Sequence, residues 1–175
     1  MPEQLIKEAK NGNKEAFEKL ILYYQQDLYK IARARLNNIE DICDAIQETI
    51  LSAYKSIKKM KNPSKFKFWL IRVLINKCND VYRINHKHPD ISFDSLDANT
   101  LLCYSTDLET NIEFFNLLKN LTVEERTIII LYYMDNYSSK EIAHILKLNN
   151  NTVKSKLSRI RKKLEKDLKE VYEYE

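Results

Sequence analysis

Apolar residues recur at three- and four-residue intervals through the first half of the chain. Phe17, Leu20, Ile21, Tyr24, Leu28 and Ile31 fall on one stripe of a long helix. Asn11-Gly12-Asn13 supplies a turn before it, and Asn37-Asn38 is placed to end it. A second helix is expected from near Asp41, where acidic residues in the first turn suit the positive end of the helix dipole. It continues through Ile46, Ile50, Ala53 and Ile57. Asn62-Pro63-Ser64 must break it, because proline disfavours helical geometry in the residue before it. A third helix then runs from about Lys65 to Arg83. One of its faces carries Phe66, Trp69, Leu70, Val73, Leu74 and Val81, with Trp69 expected in the core. Another carries Arg72, Asn76, Asn79 and Arg83 at helical spacing.

The periodicity lapses between about His86 and Leu108, where Pro89, Ser92, Ser95, Asn99, Thr100 and Ser105 are interspersed with aspartates. Helical spacing resumes near Glu109 and holds to the end. Two capping-box patterns, Thr122-x-x-Glu125 and Ser138-x-x-Glu141, mark helix starts within this second block. The chain therefore reads as all-α: two small helical domains, 1–85 and 109–175, joined by a flexible linker over 86–108.

The segment SSKEIAHILKLNNNTVKSKLSRIRKKL, Ser138 to Leu164, has the form of a helix-turn-helix. Ile142, Ala143 and Leu146 make the inward face of a short helix, and Ala143 is small enough for a second helix to cross closely. Lys147-Leu148-Asn149 forms the turn. Lys147 stands where glycine is common, so it has to take a left-handed conformation. Asn149 is then the N-cap of a helix whose inward stripe is Val153, Leu157, Ile160 and Leu164. Its other surface presents Asn150, Asn151, Thr152, Lys154, Ser155, Lys156, Ser158, Arg159, Arg161 and Lys162, with no acidic side chain among them. A helix inserted in the DNA major groove reads bases mainly with its N-terminal residues. Polar residues first and basic ones later is the order such a helix needs.

Charge sharpens this picture. The net charge is only +4, but its distribution is uneven. Glu40, Asp41, Asp44 and Glu48 form an acidic stretch, and a basic run follows from Lys55 to Lys87. The linker turns acidic, and Lys154 to Lys163 is basic again. Two basic blocks around an acidic connector point to two surfaces that meet a polyanion. A single glycine and three prolines argue against a β-rich fold. Cys43, Cys78 and Cys103 are too far apart for a zinc site or a disulfide framework and are expected as reduced thiols. His86, His88 and His144 offer no metal set. No phosphate loop, nucleophile elbow or paired carboxylates appear, so no enzymatic activity and no cofactor are expected. Nothing in the chain has the length and hydropathy of a membrane span or a secretory signal, so a cytoplasmic protein is expected.

These segments together resemble the extracytoplasmic-function sigma factors, the smallest members of the sigma-70 family. NGNKEAFEKLILYYQQDLYKIARARL is similar to the family's opening helix, and DICDAIQETILSAYKSI to its polymerase-binding helix. KFKFWLIRVLINKCNDVYR is similar to its promoter-melting helix, and LTVEERTIIILYYMDNYSSKEIAHILKLNNNTVKSKLSRIRKKL to its C-terminal domain. The resemblance implies that Asp41, Asp44, Gln47 and Glu48 contact the clamp helices of core RNA polymerase, whose flap is a further expected contact. It implies that Lys61, Asn62, Ser64 and Lys65, in the loop from 61 to 65, pocket a base flipped from the melted minus-10 element. Arg72, Asn76, Asn79 and Arg83 would track the single strand, with Phe68 available to stack on a base. The helix from Asn150 to Lys162 would read the minus-35 element in duplex form. The linker would follow the polymerase's RNA path, and an anti-sigma protein is the implied inhibitor, able to hold the chain at the membrane. The loop departs from the family pattern at Asn62-Pro63, which leaves the preferred base open.

A different class shares part of the signal. Response-regulator output domains, which bind duplex DNA without core polymerase, also carry Lys-Glu-Ile-Ala followed by Thr-Val-Lys, as at Lys140 to Ala143 and Thr152 to Lys154. They are joined to α/β receivers or ligand-sensing domains, and the first block here has no alternating strand pattern. A purely structural helical adaptor is a third reading, under which Arg159 and Arg161 would be dispensable.

Overall fold

The computed structural model describes residues 2–85 and 114–172. The chain divides into two compact units, Met1–Tyr104 and Ser105–Glu175. Both are helical, and the described residues contain no strand. The expected linker, 86–108, lies outside the described residues, and with it His86, His88 and Cys103.

In the first unit α1 (Pro2–Lys10) turns into α2 (Lys14–Arg35). The turn requires Gly12, whose φ of +97° lies in the left-handed region that other side chains disfavour. Asn13 then caps α2, its side-chain oxygen accepting from the Ala16 amide at 3.1 Å. The next junction differs from the sequence expectation. The α2 helix ends one residue before Leu36, and Asn38, expected to stop it, instead opens α3 (Ile39–Ser56) by accepting from the Glu40 amide at 2.8 Å. An asparagine between helices serves either end, and only the chain path decides which. A 3₁₀ turn, Ile57–Lys59, ends α3, a second, Pro63–Lys65, forms within the expected break, and α4 (Phe66–Asn85) follows.

The largest interface in this unit joins α3 to α4, with α2 packed on both and α1 lying along α2. Leu20, Leu28, Ile31, Ile46, Ile57, Phe66, Leu70, Ile71 and Leu74 are fully buried at its centre. Burial of each such side chain stabilises the fold by about 1.5–3 kcal/mol. The inward stripe of α4 is rotated from the expected one. Phe66, Leu70, Ile71, Leu74, Ile75 and Cys78 are buried, whereas Trp69, Val73 and Val81 are half-buried at its flank. Trp69 is thus a rim residue tilted against Phe66 at 5.7 Å and not a core residue.

In the second unit the described residues open with a helical turn over 114–117 and continue as α5 (Val123–Ile129), a π-helical turn (Ile130–Met134), α6 (Ser139–Leu146) and α7 (Asn150–Tyr172). Both expected capping boxes are formed. Thr122 and Glu125 satisfy each other's backbone at the start of α5, as do Ser138 and Glu141 at the start of α6. Ile128, Ile129, Ile130 and Leu131 are all buried, so this stretch is enclosed on more than one side. Around it close Leu118, Ile142, Ala143, Ile145, Val153, Leu157 and Ile160. Ile145 is buried and Leu146 only half-buried, a one-residue shift from the expected inward face of α6; Leu164 is also half-buried.

Candidate nucleic-acid interfaces

The turn between α6 and α7 sets the presentation of α7. Lys147 takes the left-handed conformation that the sequence demands, with φ 57° and ψ 40°. This lets the Leu148 amide donate back to the Ala143 carbonyl at 2.8 Å, closing the end of α6. Asn149 then opens α7 by accepting from the Asn151 amide at 2.8 Å. Ala143 is buried in the crossing, as its size permits.

With Val153, Leu157 and Ile160 turned inward, Asn151, Lys154, Ser155, Ser158, Arg159 and Lys162 are exposed on α7. Asn150 and Thr152 are half-buried at its start, and the Asn150 side-chain oxygen is enclosed without a hydrogen-bond partner among the described residues. Two residues assigned to the same face turn toward their own domain. Lys156 pairs with Glu124 at 2.7 Å. Arg161 donates from Nε to the Tyr133 hydroxyl at 2.8 Å and lies over the Tyr132 and Tyr133 rings at 5.6 and 5.8 Å. Lys156 is half-buried by its pairing, whereas Arg161 stays exposed while engaged by two tyrosines of the π-helical turn, an element that apolar periodicity does not reveal. Farther along, Lys163 joins α7 to Glu125 of the capping box at 3.1 Å. Burial pushes the Glu125 carboxyl up, but the Thr122 amide and the Lys163 ammonium outweigh it and hold it below the usual range.

In the first unit the loop and α4 form a second basic surface. Lys61, Asn62, Ser64 and Lys65 are exposed, and Phe68 is half-buried beside them. The Asn62 side-chain oxygen turns into the loop, accepting from the Ser64 amide at 3.1 Å and the Ser64 hydroxyl at 2.7 Å. Along α4, Asn76, Asn79 and Arg83 are exposed and Arg72 is half-buried. Asn76, Asn79 and Arg83, joined by Asp80 and Tyr82, line an open depression. Arg83 pairs with Asp80, and Asn79 accepts from Arg35 of α2 at 2.6 Å. Arg35 and Tyr82 escaped the sequence reading: one belongs to a different helix, and the other is an isolated aromatic outside the Arg/Asn spacing.

Asp44, Gln47 and Glu48 are exposed on α3, and Asp41 is half-buried one turn earlier. Leu51, 51% exposed, and Tyr54, 43% exposed, extend the same helix with apolar surface. Glu48 also reaches Lys77 of α4 at 3.2 Å, tying the acidic helix to the basic one. No group of three or more His, Cys, Asp or Glu side chains among the described residues is disposed to hold a metal. No described helix is long and apolar enough to cross a membrane.

Two helical units, one with a helix-turn-helix and one with a basic loop-and-helix surface beside an acidic helix, define a two-module DNA-binding protein. Residues 20–87 match the family model of sigma-70 region 2, and residues 112–164 match that of sigma-70 region 4. The chain is 31% identical to the ECF RNA polymerase sigma factor SigW of Bacillus subtilis, over 98% of both chains. It is 28% identical to the ECF RNA polymerase sigma-E factor of Haemophilus influenzae, over 92% of each. Among solved structures it resembles CnrH, determined in complex with the cytosolic domain of CnrY, with a TM-score of 0.68 and 26% identity over 95% of this chain and 96% of that one. The fold is also that of the sigma factor RpoE from Bartonella quintana, crystallised with the anti-sigma factor NepR, with a TM-score of 0.70 and 24% identity over 87% of this chain and 96% of that one. The chain belongs to the extracytoplasmic-function sigma factors of the sigma-70 family, and its function is that of an RNA polymerase sigma factor.

Proposed function

We propose that the two units divide promoter recognition between them, the domain at 1–85 serving core binding and the minus-10 element and that at 109–175 serving the minus-35 element. The observation that carries this reading is the exposed face of α7 over 150–162, which has no acidic side chain and is held out by a left-handed turn and a capped start. Asn150, Asn151 and Thr152 read base edges at the N-terminal end of that helix, while Lys154, Ser155, Ser158, Arg159 and Lys162 hold phosphates. Lys156 and Arg161 keep the helix on its own domain and reach DNA only at the margin of the face.

In the first unit, the loop at 61–65 receives a flipped base. Phe68, Arg72, Asn76, Asn79 and Arg83 lead the single strand away along α4. Unstacking a base costs a few kcal/mol, which binding in the pocket offsets without nucleotide hydrolysis. Asp41, Asp44, Gln47 and Glu48 present acid to the clamp helices of core polymerase, and Leu51 adds apolar contact. The protein works in the cytoplasm as a non-enzymatic, cofactor-free subunit, with an anti-sigma protein as its inhibitor. Whether that inhibitor tethers it to a membrane depends on the inhibitor's own architecture. A response-regulator reading finds no support, since the region-2 match occupies the place where a receiver would have to be.

The test is reconstitution. Purified chain added to core polymerase should initiate from a linear promoter, and Arg159→Ala should weaken recognition of the duplex minus-35 half while core association persists. A chain that shifts duplex DNA alone and adds nothing to core enzyme would refute the assignment.

A further inference from the structure

The loop between α3 and α4 is suspended from two buried anchors, Ile57 and Phe66. Between them Lys58, Lys59, Lys61, Asn62, Ser64 and Lys65 are exposed, and only Met60 and Pro63 are half-buried. The loop's hydrogen bonds close each turn on itself: the Met60 amide donates to Ile57 at 3.1 Å, and the Lys65 amide to Asn62 at 3.2 Å. Such bonds fix the curvature of each turn and leave the position of the whole segment to packing.

That packing comes from the N-terminal helix. Besides α3 and α4, with which the turns are continuous, α1 is the described element in substantial contact with both 3₁₀ turns. Lys58 also lies over the α1–α2 turn, its Nζ 3.7 Å from where a Cβ on Gly12 would stand. The α1 helix has nine residues, too few to persist alone in water, and it is held by the burial of Ile6 and Ala9. It precedes residue 20, where the region-2 match begins.

We infer that α1 is a brace that holds the loop at 61–65 in the shape needed to pocket a base, making Ile6 and Ala9 positioning residues for promoter melting. The inference rests on the reading of that loop as the base pocket. A helix of marginal intrinsic stability, packed on both turns of this loop, couples its own folding to the loop's order. Loosening α1 then dilutes the binding-competent loop without touching a residue that meets DNA.

The experiment uses the full chain assembled with core polymerase and a pool of single-stranded 12-residue DNA randomised over six positions. Base enrichment at each position is read by sequencing the bound fraction. Asn62→Ala identifies the pocketed position as the one whose enrichment it flattens. Ile6→Ala, and Gln4→Gly, which weakens α1 from its solvent face where Gln4 donates to Glu8 at 3.1 Å, should lower enrichment at that same position. A fall of about threefold corresponds to leaving roughly a third of the loops competent. Neighbouring positions and affinity for duplex minus-35 DNA should hold, and Ile6→Val should recover most of the loss. If Asn62→Ala flattens a position and the α1 variants leave it intact, or lower all positions alike, the brace is refuted. If Asn62→Ala flattens nothing, the reading of the loop falls first and the brace with it.

Discussion

Glu125 joins local helix-start chemistry to the placement of the recognition helix, and its removal offers a quantitative test of both. Its carboxylate accepts from the Thr122 amide at 3.0 Å and the Thr122 hydroxyl at 3.2 Å. Lys163 of α7 donates to both of its oxygens at 3.1 Å. In Glu125→Gln the side chain still offers an oxygen to the Thr122 amide but loses its charge. A charge-assisted hydrogen bond contributes about 1.5–3 kcal/mol, and the half-exposed Lys163 discounts this to about 1 kcal/mol. Glu125→Ala also dismantles the capping box, for a total of about 2 kcal/mol. Native-state hydrogen exchange at pH 7, followed by mass spectrometry on peptides from α5 and α7, reads these losses as roughly fivefold and thirtyfold faster exchange. Because the folded carboxyl is held below its usual range, its contribution is complete above the unfolded value of about 4.3 and is lost as pH falls through the lower folded value. Glu125→Gln should therefore remove part of the acid-side loss of stability of the second unit, measured by urea unfolding between pH 6 and 3. If Glu125→Gln exchanges like the wild type and keeps the full acid slope, the Lys163 contact is inert and the reasoning fails.

Other outcomes follow from the same geometry. Lys147→Gly should raise the stability of the second unit by about 1 kcal/mol, since glycine takes the left-handed turn without the Cβ penalty; a lower melting temperature would contradict this. Leu157→Ala, deep under α7, should cost about 2–5 kcal/mol and abolish minus-35 binding through loss of the fold, visible as a lost helical circular-dichroism signal. Lys154→Ala and Arg159→Ala should each lower the slope of log affinity against log salt for duplex DNA by about 1. Arg161→Ala, whose guanidinium is engaged by Tyr133, should change that slope less. Cys78 is buried, its thiol pushed up to about 12 by desolvation, so iodoacetamide at pH 8 should label it only when the protein unfolds.

The sequence by itself determined where α5, α6 and α7 begin, though not α3, whose Asn38 cap reads equally as the end of α2. A capping box, an Asx cap or a proline break is an interaction among residues three or four apart, so Thr122, Ser138, Asn149 and Pro63 disclosed their roles without tertiary context. It also determined the acid-free face of α7 over 150–162, because helical periodicity assigns Val153, Leu157 and Ile160 to one side and leaves the rest outside. The left-handed Lys147 was legible because it stands where such turns commonly carry glycine. Tertiary structure alone decided the rest. Periodicity carries an uncertainty of about one residue in phase, which is why Ile71, Ile75 and Cys78 replace Trp69, Val73 and Val81 in the core. It says nothing of partners distant in sequence, so the pairing of Lys156 with Glu124, of Arg161 with Tyr133 and of Arg35 with Asn79 emerged only when separate helices were packed side by side. Local rules act through the backbone within one turn, whereas the choice of which cation stays free for DNA depends on what the fold sets next to it.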